Sequence, residues 1–195
     1  MGVISFIYET VTRRKASEKV RRMSVFSAIW RKIRKWLCVV LIPNVPFNAL
    51  RVLGYRLVGF KIGKRVFIGM KCYLDDVGPE YTVIEDDVTI SYRATFACHG
   101  PRMENRLCTL REGCYIGANA MVLGGVEIGP YASVGACALV TKSIPAFSLA
   151  VGVPAKVIRT DMTPWKSDEP RLEELKRKVG SGDSKPPDAG GAGER

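Results

Sequence analysis

The stretch LREGCYIGANAMVLGGVEIGPYASVGACALV, residues 110–140, places an aliphatic residue at every sixth position: Leu110, Ile116, Val122, Ile128, Val134 and Val140. The fourth residue after each anchor is small or β-branched, as in Cys114, Ala120, Val126, Ala132 and Ala138. Neither the 3.6-residue period of an amphipathic helix nor the two-residue alternation of a hairpin meander produces this spacing. A six-residue period does have a structural solution. Each hexad makes one short strand and a turn, three hexads close a triangular coil, and the anchors stack inside the prism while the small residues leave room at its corners.

Working back towards the N-terminus, the same period holds for Ile84, Ile90 and Phe96 and for Ile62, Ile68 and Leu74, with Val66, Cys72, Val88 and Ala94 at fourth positions. Twelve anchors predict four coils, about 19 Å of stacked strands at the usual strand spacing of roughly 4.8 Å. The register breaks twice. Leu74 to Ile84 is four residues too long and Phe96 to Leu110 eight too long. Both breaks read as loops leaving the prism, where function tends to sit. The longer one carries Cys98, His99, Gly100, Pro101 and Arg102, then Glu104, Asn105 and Arg106.

Residues 49–159 resemble the hexapeptide-repeat acyltransferases, and within them the sugar and maltose O-acetyltransferase branch. The matching stretches are Val58–Gly63, Tyr115–Ala120, Gly124–Gly129, Val140–Pro145 and Val151–Arg159. The resemblance implies a mainly β fold, a left-handed parallel β-helix, and transfer of an acyl group, usually acetyl, from coenzyme A to a hydroxyl or amine. It also implies a homotrimer with active sites between neighbouring prisms, and a loop histidine as general base. His99 is the only histidine of the chain and lies in the matching loop. A base titrating near neutral pH suits removal of a hydroxyl proton during attack on a thioester.

Asp75, Asp76 and Glu104, in or beside the two excursions, are candidates for orienting that histidine or meeting the substrate; each alone also reads as a solvated loop acid. Acetyl-CoA or another acyl-CoA is the implied co-substrate. Its implied binding positions are Ala118, Ala136, Lys142, Lys156 and Arg159, and solvated surface is the other reading for the three basic residues. Relatives often carry Gly-Ser near the last coil where this chain has Ala136-Cys137-Ala138. Cys98 lacks a second histidine to activate it, which favours direct transfer over a covalent cysteine intermediate. The acceptor stays open among a sugar, a polysaccharide, a lipid-linked sugar and a small xenobiotic. A non-catalytic scaffold built on the same prism is the alternative function.

Charge divides the chain. Thirty Lys and Arg against nineteen Asp and Glu give +11, and residues 1–36 hold +8 of it. From Val20 to Ile42 apolar residues recur at three- and four-residue steps between Arg21, Arg22, Arg31, Lys32, Arg34 and Lys35, predicting a cationic amphipathic helix within a 1–42 arm. Such a helix suits an anionic membrane interface over residues 20–42, or docks on the open end of the prism or on a trimer neighbour. Its periodic apolar face argues against nucleic acid as the partner. Pro43 and Pro46 end it, and a short capping helix over roughly Phe47–Val58, within 43–60, leads into a β-helix domain at 61–160. Residues 161–195 predict a short charged helix over Asp168–Val179 and then a Gly-, Pro- and Ser-rich disordered tail.

The longest apolar run, Trp36–Ile42, is far too short to span a bilayer, and no secretory signal is evident. The six cysteines form no CxxC pair. With a single histidine they build no familiar zinc site, which also excludes a γ-type carbonic anhydrase and predicts no metal. Reduced thiols predict a cytoplasmic protein, peripheral on the inner face of the membrane if the arm binds lipid.

Overall fold

The hexads become short parallel strands that stack into three faces of a prism. The computed structural model describes residues 25–75, 78–100, 107–162, 173, 174, 176 and 177. The first face stacks β1 (Lys61–Ile62), β3 (Thr82–Ile84), β6 (Cys108–Leu110) and β9 (Glu127–Ile128). The second stacks β2 (Phe67–Ile68), β4 (Thr89–Ile90), β7 (Tyr115–Ile116), β10 (Ser133–Val134) and β12 (Leu149–Val151), and ends on an antiparallel strand, β13 (Lys156–Arg159). The third stacks β5 (Thr95–Ala97), β8 (Met121–Leu123) and β11 (Leu139–Val140).

The anchors fall opposite one another rung by rung. Ile62, Ile84, Leu110 and Ile128 align on the first face, Ile68, Ile90, Ile116 and Val134 on the second, and Phe96, Val122 and Val140 on the third. All are buried apart from Ile62, which is partly buried. Each contributes about 1.5–3 kcal/mol by leaving water. The ladder runs past the twelfth anchor: Ile144 pairs with Ile128 and Ala150 with Val134, adding part of a fifth coil. Ile144 lies four residues after Val140 instead of six, so the spacing rule passes over it.

A second regularity sits three residues after most anchors. Arg65, Lys71, Asp87, Arg93, Asn119, Tyr131, Cys137 and Phe147 all have positive φ, as do Gly113 and Gly125 at the equivalent corners. The left-handed corner turns the chain onto the next face and delivers the small fourth residue to the interior. No β-branched residue occupies these ten positions, in keeping with the steric cost such side chains meet there.

The open end of the first coil is closed by α-helical structure. A helix α1 (Val25–Trp36) runs into a π-helical turn over Leu37–Leu41 and a 3₁₀ turn over Ile42–Asn44. After Pro46 the chain is extended at Phe47 and enters α2 (Asn48–Leu57). Helix α2 buries Arg51, Val52 and Tyr55 against coil one. The Asn48 amide accepts from Ile68 N–H (2.9 Å) and donates to Val66 C=O (3.0 Å), imitating the peptide of a missing strand. Arg51, almost fully buried, donates Nε–H to Ile68 C=O (2.9 Å) and Nη1–H to Val45 and Pro46 C=O (2.6 and 3.0 Å). Tyr55 Oη donates to Cys72 C=O (3.1 Å). The cap is therefore α2, with Cys38 and Ile42 of the preceding turns buried behind it. The apolar stripe of α1 is not docked on the prism. Residues 173, 174, 176 and 177 are helical, inside the expected charged helix; residues 20–24 of the arm lie outside the described residues.

Candidate active site

The chain leaves the third face of the first two coils at neighbouring places. Tyr73 pairs with Thr95, which puts Asp75, just past anchor Leu74, opposite Ala97 and next to the start of the longer excursion. Asp75 Oδ2 accepts two hydrogen bonds, from Cys98 N–H (2.6 Å) and from the His99 ring at Nδ1 (2.8 Å). The Asp75 side chain is 1% exposed, whereas that of His99 is 44% exposed. A carboxylate only accepts, so Nδ1 carries the proton and Nε2 keeps its lone pair. That is the arrangement a general base requires, with the proton-accepting nitrogen on the accessible ring. Of the two readings given for Asp75, orienting the histidine or meeting the substrate, the geometry fits the first: its carboxylate is buried and turned onto Cys98 and His99. Asp76 and Glu104 lie outside the described residues.

Cys98 is buried, with Sγ 3.7 Å from Thr82 Oγ1. A hydrogen bond from the buried Cys108 thiol holds the Cys98 thiol below its ordinary value against the opposing effect of burial, and giving that bond raises Cys108. Sequence reasoning passed over Cys108; its signal was its place two residues before anchor Leu110, as the chain re-enters the prism.

The positions proposed for coenzyme A fall on two edges of the third face. Ala118 and Ala136 stack at one corner, where Cys137 N–H donates to Ala118 C=O (2.9 Å) and a Cβ on Gly117 would lie 2.5 Å from Ala136 N. The turn leading to Lys156 lies on the same side, through Ala155 N–H to Leu139 C=O (2.7 Å) and Leu139 N–H to Gly152 C=O (3.0 Å). Lys156 and Arg159 are exposed on β13. Lys142 is exposed past β11 at the other edge. That edge is the one His99 occupies, for Gly124, between the two, donates to Ala97 C=O (2.9 Å). About two strand spacings, roughly 10 Å, separate the levels of His99 and Lys142. Among the described residues no group of three or more His, Cys, Asp or Glu could hold a metal ion.

With repeat, fold and histidine site in place, comparison with known proteins agrees. The family described as bacterial transferase hexapeptide (six repeats) matches residues 108–142. Over those residues the chain carries the repeat of the hexapeptide transferase family. Among solved structures it resembles a maltose O-acetyltransferase from Clostridium difficile 630, with TM-score 0.53 at 21% identity, covering 72% of this chain and 90% of that one. It also resembles a hexapeptide-repeat acetyltransferase from Vibrio cholerae solved with acetyl coenzyme A, with TM-score 0.51 at 19% identity over 72% and 91% of the two chains. At these identities the likeness concerns the fold. In sequence, the serine acetyltransferase of Salmonella typhimurium is 40% identical over 130 residues, 67% of this chain and 46% of the relative. The chain spans about a third to just under half of the length of the curated relatives it matches. Those relatives are serine acetyltransferases, so the sequence likeness does not single out a sugar acceptor.

Proposed function

We propose that this chain is a coenzyme A-dependent O-acyltransferase that moves an acetyl group from acetyl-CoA to a hydroxyl, with His99 as general base. The observation that carries the reading is the His99–Asp75 pair, which fixes the imidazole proton on Nδ1 and leaves Nε2 as acceptor. In this reading Nε2 takes the acceptor's hydroxyl proton as its oxygen attacks the thioester carbonyl. The carbon–sulfur bond then breaks, and His99 returns the proton to the departing thiolate. Neighbouring prisms of a homotrimer complete the groove for acyl-CoA, with Ala118, Ala136 and the basic residues Lys142, Lys156 and Arg159 along its walls.

The acceptor in this reading is a hydroxyl of a sugar, polysaccharide or lipid-linked molecule. Serine is a second reading, supported by the names of the curated relatives. Free-thiol release from acetyl-CoA against a panel of sugars, oligosaccharides and serine tests both. His99→Ala should lower the rate with the productive acceptor by roughly 10²–10⁴-fold, the usual worth of a positioned base. A folded, trimeric His99→Ala protein working at the parent rate rejects His99 as the base. A non-catalytic scaffold would also gain no thermal stability from acetyl-CoA.

A further inference from the structure

We propose that the helical base of the prism is a docking surface for an anionic lipid bilayer, on which the β-helix stands on end. The inference concerns a surface away from the proposed active site and does not depend on the acyltransfer reading.

Helix α1 keeps Phe26, Ile29, Trp30, Ile33 and Trp36 exposed, with Phe26 at 79%. These residues recur at three- and four-residue steps and so form one stripe. An apolar stripe on a short helix normally covers a core. Here the core is already closed by α2, whose own outer side presents Leu50, Leu53 and Leu57, all at least half exposed. Two consecutive helices thus turn leucine, phenylalanine and tryptophan away from the prism. Exposed apolar residues clustered in this way on each helix mark an interaction site.

The charge around it selects the partner. Besides the buried Arg51, the helical cap over residues 25–57 carries Arg31, Lys32, Arg34, Lys35 and Arg56 and no Asp or Glu. Arg31, Lys32, Arg34 and Lys35 take the flanks and the opposite side of the α1 stripe. A second copy of this surface would bring like charges together. Lipid phosphates supply negative charge, and tryptophan favours the headgroup level. Among the described residues no helix is long and apolar enough to cross a membrane, so attachment here is interfacial. In this orientation the His99–Asp75 pair, in the two coils next to the cap, stands about 15–20 Å from the headgroups, one helix diameter plus two strand spacings.

The test uses the full chain and vesicles of phosphatidylcholine with about a quarter phosphatidylglycerol, against pure phosphatidylcholine. Co-sedimentation should occur with the anionic vesicles, weaken with added salt and be largely lost with the neutral ones. Two variants separate the contributions. Combined substitution of Arg31, Lys32, Arg34 and Lys35 by Gln should weaken binding at least tenfold, since each basic residue near the surface contributes about fivefold. Leu50→Gln with Leu53→Gln changes exposed side chains only, so the melting temperature should hold while anionic binding falls several-fold. Three results overturn the proposal. The first is no binding to anionic vesicles. The second is unchanged binding in both folded variants, which moves attachment into residues 1–24. The third is an oligomer, measured without lipid, that the two leucine substitutions dissociate while vesicle binding stays as in the parent, which makes a second copy the occupant.

Discussion

Replacing Asp75 by Asn isolates what the buried carboxylate does for His99. Both hydrogen bonds converge on the single oxygen Oδ2. The Cys98 backbone N–H is a fixed donor and cannot face an amide NH₂, so it selects the rotamer in which the Asn oxygen takes that place. The bond to His99 Nδ1–H then survives while the negative charge is lost. A hydrogen bond to a charged partner is worth about 1.5–3 kcal/mol and one between neutral groups about 0.5–1.5. Because the ring is 44% exposed, solvent screens part of this difference. About 1 kcal/mol of stabilisation of the protonated ring formed during transfer is removed, about fivefold in kcat. The assay is steady-state thiol release with the productive acceptor, and KM for acetyl-CoA should stay within about twofold. Asp75→Ala additionally leaves the Cys98 N–H buried without its acceptor, at about 1–3 kcal/mol, which lowers the melting temperature by several degrees. An Asn variant with parent kcat would refute the contribution of the carboxylate charge to the protonated ring. So would a rise in KM for acetyl-CoA at unchanged kcat.

Three further outcomes follow from the prism. Arg51→Met should lower stability by about 3 kcal/mol or more in urea denaturation, because one carbonyl of coil one, Ile68, and two of the segment before α2, Val45 and Pro46, lose their donor; a loss below 1 kcal/mol contradicts the capping role. Asn119 sits at φ 55°, so Asn119→Gly should be neutral or slightly stabilising, while Asn119→Val should cost about 1–3 kcal/mol by the same measurement. Of the six cysteines Cys137 alone is exposed. Limited alkylation followed by peptide mass mapping should modify it first, Cys72 should resist because burial pushes its thiol up to about 11, and acetyl-CoA should slow the Cys137 reaction if the Ala136 corner lines the cofactor groove.

The prism was legible because its anchors obey one short period, and a period in sequence becomes a register in space. The partial fifth coil was not, since the step from Val140 to Ile144 breaks that period while the hydrogen bonds continue. His99 stood out by uniqueness and by its loop, yet its partner did not. Asp75, Asp76 and Glu104 look alike as sequence. Only the pairing of Tyr73 with Thr95 shows that the residue just past Leu74 arrives beside the one just past Ala97. The left-handed corners were hinted at by Gly113 and Gly125 alone, because the other eight positions bear ordinary side chains. Arg51 read as one more positive charge, and its burial against three carbonyls follows from helix geometry that periodicity does not encode.

The substitution of side chains for a strand at the first coil bears on assembly as well as stability. A stack of parallel rungs ends in bare peptide edges, and identical edges from two molecules invite growth along the common axis. Here the second-face edge is already spoken for at both extremities: Asn48 and Arg51 saturate the rung below Ile68, and the reversed strand Lys156–Arg159 covers Leu149–Val151. Through the first-coil end of that face, axial strand pairing is closed by side chains, and a second prism finds no bare rung there to extend.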